Sequence, residues 1–176
     1  MAQQREIAQL GSKVIRQVAL EVKDILSTES QALIEDMLLT VAEAKGVGIA
    51  APQVYQSKRL FIMCSKPNSR YPDAPEMEPT AVINPNIIWA SDTMEKGWEG
   101  CLSLPGIRGL VPRHDAIRVH YNNRDNDPVE IQYEGFLARV FQHELDHLNG
   151  IVFIDRVEST TEIMMEKEWL KMMEVN

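Results

Sequence analysis

Residues 135–149 read Gly135-Phe136-Leu137-Ala138-Arg139-Val140-Phe141-Gln142-His143-Glu144-Leu145-Asp146-His147-Leu148-Asn149, and Gly150 follows. Steps of four, three and four back from His147 reach His143, Val140 and Phe136, so the pattern predicts a helix with one apolar face that leads up to two histidines. The five residues from His143 to His147 form an H-E-x-x-H motif. Histidines one turn apart on the same face can bind one metal ion, and the adjacent Glu144 is placed to handle protons at a metal-bound water. The stretch predicts a hydrolytic metalloenzyme built around this helix.

Composition restricts the class of protein. The 176 residues fit a single domain spanning 1–176, and the hydrophobic and charged fractions of 44% and 25% are ordinary for a globular chain. A net charge of -8 argues against direct binding to nucleic acid or to an anionic membrane. We find no apolar signal segment near the start, no membrane-length apolar run and no disulfide framework. These features predict a cytoplasmic protein.

The remaining chain predicts an α+β fold, with antiparallel or mixed sheets packed around the central metal-binding helix. An N-terminal helix is expected from about Glu29 to Lys45, with Thr28 and Gln31 as a capping box and Gly46 as its end. A C-terminal helix is expected from about Thr160 to Met173. Prolines predict a loop over residues 67–79, and strands are expected at Arg59–Cys64, Thr80–Asn84, Ile87–Ala90, Met94–Trp98, Asp115–Tyr121 and Val129–Tyr133.

A catalytic metal needs a third protein ligand beside the two histidines. The sequence offers two kinds of candidate: Cys101 upstream, and three downstream glutamates, Glu158, Glu162 and Glu166. We favour Cys101, because its context is small and irregular, so that backbone can approach a metal closely. The glutamates lie in a segment rich in solvated charge. A thiolate with two imidazoles suits Zn²⁺ or Fe²⁺.

Three separated segments together resemble the signature motifs of peptide deformylases. Residues 46–53, Gly-Val-Gly-Ile-Ala-Ala-Pro-Gln, resemble the G-x-G-x-A-A-x-Q motif. Residues 99–103, Glu-Gly-Cys-Leu-Ser, match E-G-C-x-S, and residues 142–148, Gln-His-Glu-Leu-Asp-His-Leu, match Q-H-E-x-D-H-L. All three occur in the family's order, and the resemblance extends from about Leu10 to Arg156. It is therefore much more specific than any single motif.

This resemblance implies an activity and a ligand set. The family hydrolyses the N-formyl group from the formyl-methionine at the start of newly made polypeptides and releases formate. The matching metal ligands are Cys101, His143 and His147, with Fe²⁺ as the expected ion and Zn²⁺ or Ni²⁺ as alternatives. A water in the fourth position would attack the formyl carbon. Glu144 would accept its proton and pass one to the departing amine.

The resemblance also implies residues that contact the substrate. The side-chain amide of Gln53 and the backbone N–H of Leu102 would donate hydrogen bonds to the developing oxyanion. The peptide would lie extended against the Gly46–Gly48 segment and the segment before the cysteine, as in strand addition. Our substrate-binding candidates are Gly46, Val47, Gly48, Gly100, Arg108, Phe136 and Val140. Among them Val47, Phe136 and Val140 would line the methionine pocket, and Arg108 would contact the peptide farther along.

For each of three charged residues near the motifs, the sequence allows two interpretations. Glu99 is either a solvated loop charge or, as we favour, a structural carboxylate paired with an arginine such as Arg113. Asp146 is expected to point away from the two-histidine face. It is either a partner that orients a metal ligand or a surface charge. Arg139 either flanks the opening of the site or is solvated.

The expected partners are nascent formyl-Met peptides, and we expect a monomer. Some bacterial relatives dock on ribosomes through a basic C-terminal helix. Residues 160–176 carry four glutamates against two lysines, so the same docking mode is disfavoured, although a transient ribosome contact stays open. Two rival functions remain: a general metalloprotease that uses a downstream glutamate ligand, and a metal-binding module without catalysis.

Overall fold

A computed structural model describes residues 2–67 and 74–175 of the chain. Within them lie two antiparallel sheets and three α-helices, an α+β fold as predicted. In chain order the elements are α1 (Thr28–Glu43), β1 (Gly48–Ala50), β2 (Leu60–Ser65), β3 (Met77–Ala90), β4 (Met94–Cys101), β5 (Leu104–His114), β6 (Ala116–Asn122), β7 (Pro128–Glu134), α2 (Gly135–Leu148), β8 (Ile163–Met165) and α3 (Glu166–Val175). None of the helices in these two ranges combines the length and the hydropathy needed to cross a membrane.

The first helix lies where the sequence predicts it, but its ends differ. Its N-cap is Ser27, which accepts a hydrogen bond from the backbone N–H of Ser30 at 3.2 Å. The expected capping box is wrong, because the Gln31 amide donates instead to the carbonyl oxygens of Ile25 and Arg124. The left-handed residue after the helix is Lys45, with φ 51°, rather than Gly46.

Strands β1, β2, β3, β6 and β7 form one sheet in that order, and β4, β5 and β8 form the other. The predicted hairpin is confirmed: β6 pairs with β7 in antiparallel register, from Ala116 opposite Glu134 to Asn122 opposite Pro128. Strands β2 and β4 also lie where we expected strands, each with a later end than predicted.

Proline and glycine misled the prediction in three places. Two expected short strands, 80–84 and 87–90, form the single strand β3, which is interrupted by a register shift between Ile83 and Asn86. The predicted loop is too long, because β3 already begins at Met77, and Pro79 lies beside an irregularity where the missing N–H is tolerated. Residues 68–73 of that loop lie outside the described residues. Strand β5 was missed, since its two prolines and two glycines resemble a loop.

The predicted C-terminal helix begins too early. Residues 160–162 form a short 3-10 turn, and residues 163–165 form β8, which pairs with Ile107, Arg108 and Gly109 of β5. The sheet edge competes with helix formation for these backbone groups, so α3 starts at Glu166. In this part of the chain Met165 and Met173 are more than half exposed, whereas Trp169 is buried.

Helix α2 is central because it contacts β1, β2 and β7 of the larger sheet and β5 of the smaller one. Its apolar face enters the main core, where the ring of Phe141 packs edge-on against Phe61 with centroids 5.1 Å apart. The opposite part of its surface carries the H-E-x-x-H histidines towards the smaller sheet. The fold thereby places α2 between the two sheets, beside the site described next.

Candidate active site

Three side chains converge on one point between α2 and the end of β4. The sulfur of Cys101 lies 3.2 Å from Nε2 of His147, and one donor atom each of Cys101, His143 and His147 falls within 4.8 Å of the others. Among the described residues this is the only such group of histidine, cysteine and acidic side chains. One thiolate and two imidazoles on a rigid helix and strand form a donor set that fits a catalytic zinc or iron ion.

The alternative third ligands have other partners. Glu158 and Glu162 form ion pairs with Lys96 at 2.7 and 2.5 Å, and Glu166 pairs with Arg108 at 2.5 Å. Strand β8 and its flanking turn direct these carboxylates to the smaller sheet. The geometry therefore places Cys101, and none of the three glutamates, in the group with the histidines.

A buried carboxylate orients the first histidine. Nδ1 of His143 lies 2.9 Å from Oε2 of Glu99, which is only 4% exposed. Burial alone would raise the pKa of Glu99, but its hydrogen bond with His143 and the positive charge of Arg113 hold that pKa well below its usual range. An ionised Glu99 accepts a hydrogen bond from Nδ1 of His143, so Nε2 is the ring nitrogen that can serve as the candidate ligand atom.

The ion pair expected between Glu99 and Arg113 is confirmed, and it belongs to a larger network. Arg113 donates to both oxygens of Glu99 at 3.0 and 3.1 Å and to Asp146 at 2.5 Å. Asp146 is buried and also accepts from Arg156 at 2.7 Å, so its surface reading is wrong. Arg139 donates to Glu99 at 3.0 Å and lines the cavity, which excludes its solvated reading.

Glu144, the glutamate of the H-E-x-x-H motif, is buried and incompletely hydrogen-bonded among the described residues. Glu144 is 4% exposed, and its Oε2 has no hydrogen-bond partner among the residues that the structure describes. Burial raises the pKa of this carboxyl to about 7. A Cβ added at Gly48 would come within 2.2 Å of Oε1 of Glu144, so only glycine leaves room for the carboxylate. An unpaired buried carboxylate beside a ligand group can accept a proton from a bound molecule.

The amide of Gln53 is held in one orientation. Its Oε1 accepts the N–H of Ala50 at 2.8 Å, which directs Nε2 towards the sulfur of Cys101 at 3.4 Å and Oγ of Ser103 at 3.1 Å. Ser103 is fully buried and was not singled out from the sequence, although it closes the second motif. The side-chain N–H groups of Gln53 therefore face Cys101, one of the candidate metal ligands, and Ser103.

A cavity of about 270 Å³ lies in front of these groups. Glu144, Gln53 and Leu102 line it, and so do all seven substrate-binding candidates, namely Gly46, Val47, Gly48, Gly100, Arg108, Phe136 and Val140. Lys45, Gly97 and Trp98 line it as well and were missed, because neither motif nor periodicity distinguishes them from loop or strand residues. The cavity thus joins the candidate metal ligands to a partly apolar groove.

Arg108 lies at this groove but is not solvated. Its side chain is 2% exposed, its guanidinium sits 4.6 Å from the ring centre of Trp169, and it pairs with Glu166. A Cβ at Gly100 would meet Nη1 of Arg108 at 2.5 Å. Helix α3 therefore holds this arginine against the segment that leads to Cys101.

Comparison with known proteins agrees with the motifs. The family model described as polypeptide deformylase matches residues 4–162. The chain is 55% identical to peptide deformylase 2 of Nostoc sp. over 97% of this chain and 95% of that protein. It is 48% identical to peptide deformylase 2 of Shewanella oneidensis, over 92% and 89% of the two chains.

Solved structures agree as well. The class I type b peptide deformylase of Acinetobacter baumannii bound to Met-Ala-Ser has a TM-score of 0.86 and 44% identity, over 89% of this chain and all of that one. A Synechococcus elongatus peptide deformylase in complex with actinonin has a TM-score of 0.79 and 36% identity, over 92% and 86% of the two chains. The chain therefore belongs to the peptide deformylase family, metal-dependent hydrolases that remove the N-formyl group from nascent peptides.

Proposed function

We propose that this chain hydrolyses the N-formyl group of N-terminal formyl-methionine at the cavity beside α2 and that Glu144 moves the protons of the reaction. The observation that carries the proposal is the convergence of a cysteine sulfur, two imidazoles and a buried carboxyl, whose Oε2 has no hydrogen-bond partner among the described residues, on one cavity. A general protease with a glutamate ligand has no comparable support, because the downstream glutamates are engaged in ion pairs elsewhere.

Cys101, His143 and His147 would hold the metal ion. An ion in this set acts as a Lewis acid, lowering the pKa of water and polarising a carbonyl group. We propose Fe²⁺ as the working ion, with Zn²⁺ or Ni²⁺ able to replace it, because thiolate and imidazole donors suit all three. Glu99 supports this arrangement by fixing the His143 ring through Nδ1.

Glu144 would act as both general base and general acid. Its free Oε2 accepts a proton from the attacking water, and the same carboxyl then delivers a proton to the departing amino group. One residue can serve both steps, because the water and the amine lie on either side of the same tetrahedral carbon. The tight contact with Gly48 keeps the carboxylate at this position during both transfers.

The negative charge that develops on the formyl oxygen needs donors. We propose the Nε2 amide of Gln53 and the backbone N–H of Leu102, two residues that both line the cavity. Loss of one such donor costs about 100- to 1000-fold in rate in enzymes of this kind. A neutral amide suits the task, since it donates without competing as a base.

The peptide would add as an extended strand along the groove. Gly46, Gly48 and Gly100 permit close approach of its backbone, so recognition depends little on side chains after the first residue. Val47, Phe136 and Val140 would contact the methionine side chain. Arg108 would contact the peptide beyond its first residue. The ion pair with Glu166 and the contact with the Trp169 ring hold the Arg108 side chain in position.

The decisive experiment measures formate release from a formyl-Met peptide, together with metal analysis of anaerobically purified protein. Glu144→Ala should keep its metal and lose nearly all turnover, whereas the exposed-site control Glu130→Ala should match wild type. Undiminished formate release by Glu144→Ala would contradict the proton role. Cys101→Ser should lose metal affinity, and unchanged affinity would refute the ligand set.

We also propose that the enzyme works as a cytoplasmic monomer on chains that are still being made, with at most a transient ribosome contact. The acidic balance of residues 160–176 supports weak docking, because ribosomal RNA repels negative charge. Light scattering tests the monomer. Co-sedimentation with ribosomes at low and physiological salt tests the contact, and retention at physiological salt would contradict weak docking.

A further inference from the structure

A segment near the start of the chain contacts the two regions that supply the candidate oxyanion donors. The N–H of Ala8 donates to the carbonyl oxygen of Gln53 at 2.8 Å, and the N–H of Leu10 donates to the carbonyl oxygen of Ser103 at 2.9 Å. Ser103 is the residue next to Leu102. Two hydrogen bonds from a single three-residue stretch thus reach the backbone of both regions that supply the donors.

These two regions belong to different sheets. Gln53 lies in the 3-10 turn Ala51–Val54 directly after β1 of the five-stranded sheet. Leu102 lies in the turn between β4 and β5 of the three-stranded sheet. The distance between the donors therefore depends on how the two sheets are held together at this point. The side-chain amide of Gln53 links the two regions directly, through hydrogen bonds to Ser103 at 3.1 Å and to Cys101 at 3.4 Å, and residues 8–10 form a further link.

The segment is itself rigidly held. Ala8 is fully buried in the core cluster that contains Leu104 and Val111 of the smaller sheet. Its neighbour Ile7 packs on the other side, against the cluster that contains Ala51 and Val54. Two neighbouring side chains thus contact different cores, so this short stretch joins the two.

Helix α1 anchors the beginning of the segment. Asp36 accepts the backbone N–H of Gln3 at 2.7 Å and Nε of Arg5 at 2.8 Å. Oγ1 of Thr40 accepts the backbone N–H of Arg5 at 2.9 Å. Residues 3–10 are therefore bound along their length, to α1 at one end and to both site regions at the other.

We propose that residues 3–10 are a positioning segment that sets the spacing between the Gln53 amide and the Leu102 N–H. The proposal rests on the oxyanion role of these two donors in the proposed function. Donors aimed at a developing charge act only when their geometry is fixed beforehand, and a displacement of about 1 Å costs about 100-fold in rate. Loosening the segment should lower kcat more than it raises KM.

The first test removes single N–H donors with proline. Ala8→Pro loses the hydrogen bond to Gln53, and Leu10→Pro loses the one to Ser103. Lys13→Pro is the matched control: it opens the 3-10 turn Lys13–Arg16, where proline is tolerated, and the preceding Ser12 is already extended. We expect kcat per bound metal to fall at least about 10-fold in the first two variants, with KM within about twofold and the control unchanged. Equal effects of all three, or loss of thermal stability with unchanged kcat, would overturn the proposal.

The second test asks whether Ala8 acts through Gln53. If it does, Ala8→Pro should cost far less in a Gln53→Ala background than in wild type, because the donor it positions is gone. An equal loss of kcat in both backgrounds would mean that the segment contributes to general stability only. That result would refute this inference but leave the proposed function standing. If Gln53→Ala itself leaves kcat unchanged, the oxyanion assignment falls, and this inference falls with it.

A gentler variant covers the case in which Ala8→Pro does not fold. Ala8→Val keeps the N–H but overpacks a fully buried position, which pushes the segment away from its neighbours. Ala8→Gly keeps the N–H and adds no bulk, so it is the control for Ala8→Val. We expect the kcat loss of Ala8→Val to disappear in the Gln53→Ala background, and persistence of the full loss there would refute positioning.

Discussion

Oε2 of Glu99 lies 2.9 Å from Nδ1 of His143, and the same carboxylate accepts hydrogen bonds from Arg113 and Arg139. A charge this deeply buried is costly unless it is paired, and here two guanidinium groups pair it. The carboxylate can therefore stay ionised and hold the histidine ring in one tautomer. This relationship connects β4, which carries Glu99 and Cys101, to the H-E-x-x-H helix.

The first prediction concerns this contact. Glu99→Gln should weaken metal binding about 10- to 100-fold, because the ring of His143 loses its ionised partner. The exposed Glu95→Gln, on the same strand, should bind metal as wild type does. Competition with a chelator of known affinity measures both. Wild-type affinity in Glu99→Gln would show that the contact does not orient the ligand.

The second prediction concerns the room beside Glu144. Gly48→Ala places a methyl group where Oε1 of Glu144 now lies, within 2.2 Å, so the carboxylate must move. We expect kcat to fall about 100-fold, while metal content stays at the wild-type level, because no ligand is touched. Formate release and metal analysis on the same sample check this. A variant with full turnover would mean that the position of the carboxylate is not critical.

The third prediction compares two glutamates on α3. Glu166 pairs with the buried Arg108, whereas Glu168 pairs with the exposed Lys167 and Lys171. Glu166→Gln should lower the free energy of unfolding by about 1–3 kcal/mol, because it leaves a buried charge without its carboxylate. Glu168→Gln should change it by less than about 0.5 kcal/mol. Urea unfolding measures both, and equal values would contradict a structural role for the Arg108 pair.

The fourth prediction is a pH dependence at Asp36. Burial alone would raise its pKa, but the hydrogen bonds from Gln3 and Arg5 outweigh burial and lower the pKa below its ordinary value. A carboxyl with a depressed folded-state pKa stabilises the protein above its unfolded-state pKa. That contribution is lost as pH falls through the folded-state pKa. The difference in unfolding free energy between wild type and Asp36→Asn should therefore be largest near neutral pH.

The measurement for Asp36 is urea unfolding at a series of pH values. The difference should shrink as the solution becomes more acidic than the ordinary aspartate pKa of about 4. Glu35→Gln, an exposed neighbour that pairs with Arg124 on the surface, is the control and should show a smaller difference throughout. A difference for Asp36→Asn that stays constant with pH would contradict the ion-pair explanation.

Local patterns predicted α1, α2 and the hairpin well, because apolar periodicity and turn residues act over a few neighbouring positions. The 3.6-residue pattern around Phe136 and Val140 located α2 almost to its ends. Strand β5 was not predicted, because its prolines and glycines are typical of a loop. Only its pairing with β4 makes this segment a strand. Likewise, the local sequence does not distinguish residues 163–165 from the start of a helix. These residues form a strand because they pair with the edge of β5.

The sequence by itself determined the chemistry: the spacing of His143 and His147, the glutamate between them and the three motifs do not depend on the rest of the fold. The sequence favoured Cys101 as the third ligand, but only tertiary structure decided how the distant groups meet at the candidate site. It placed Cys101 beside His147, directed the downstream glutamates to Lys96 and Arg108, and buried Glu99 against His143. The physical reason is that ligand spacing on one helix is a local property. Contacts between β4, α2 and residues 8–10 exist only after two sheets have packed around that helix.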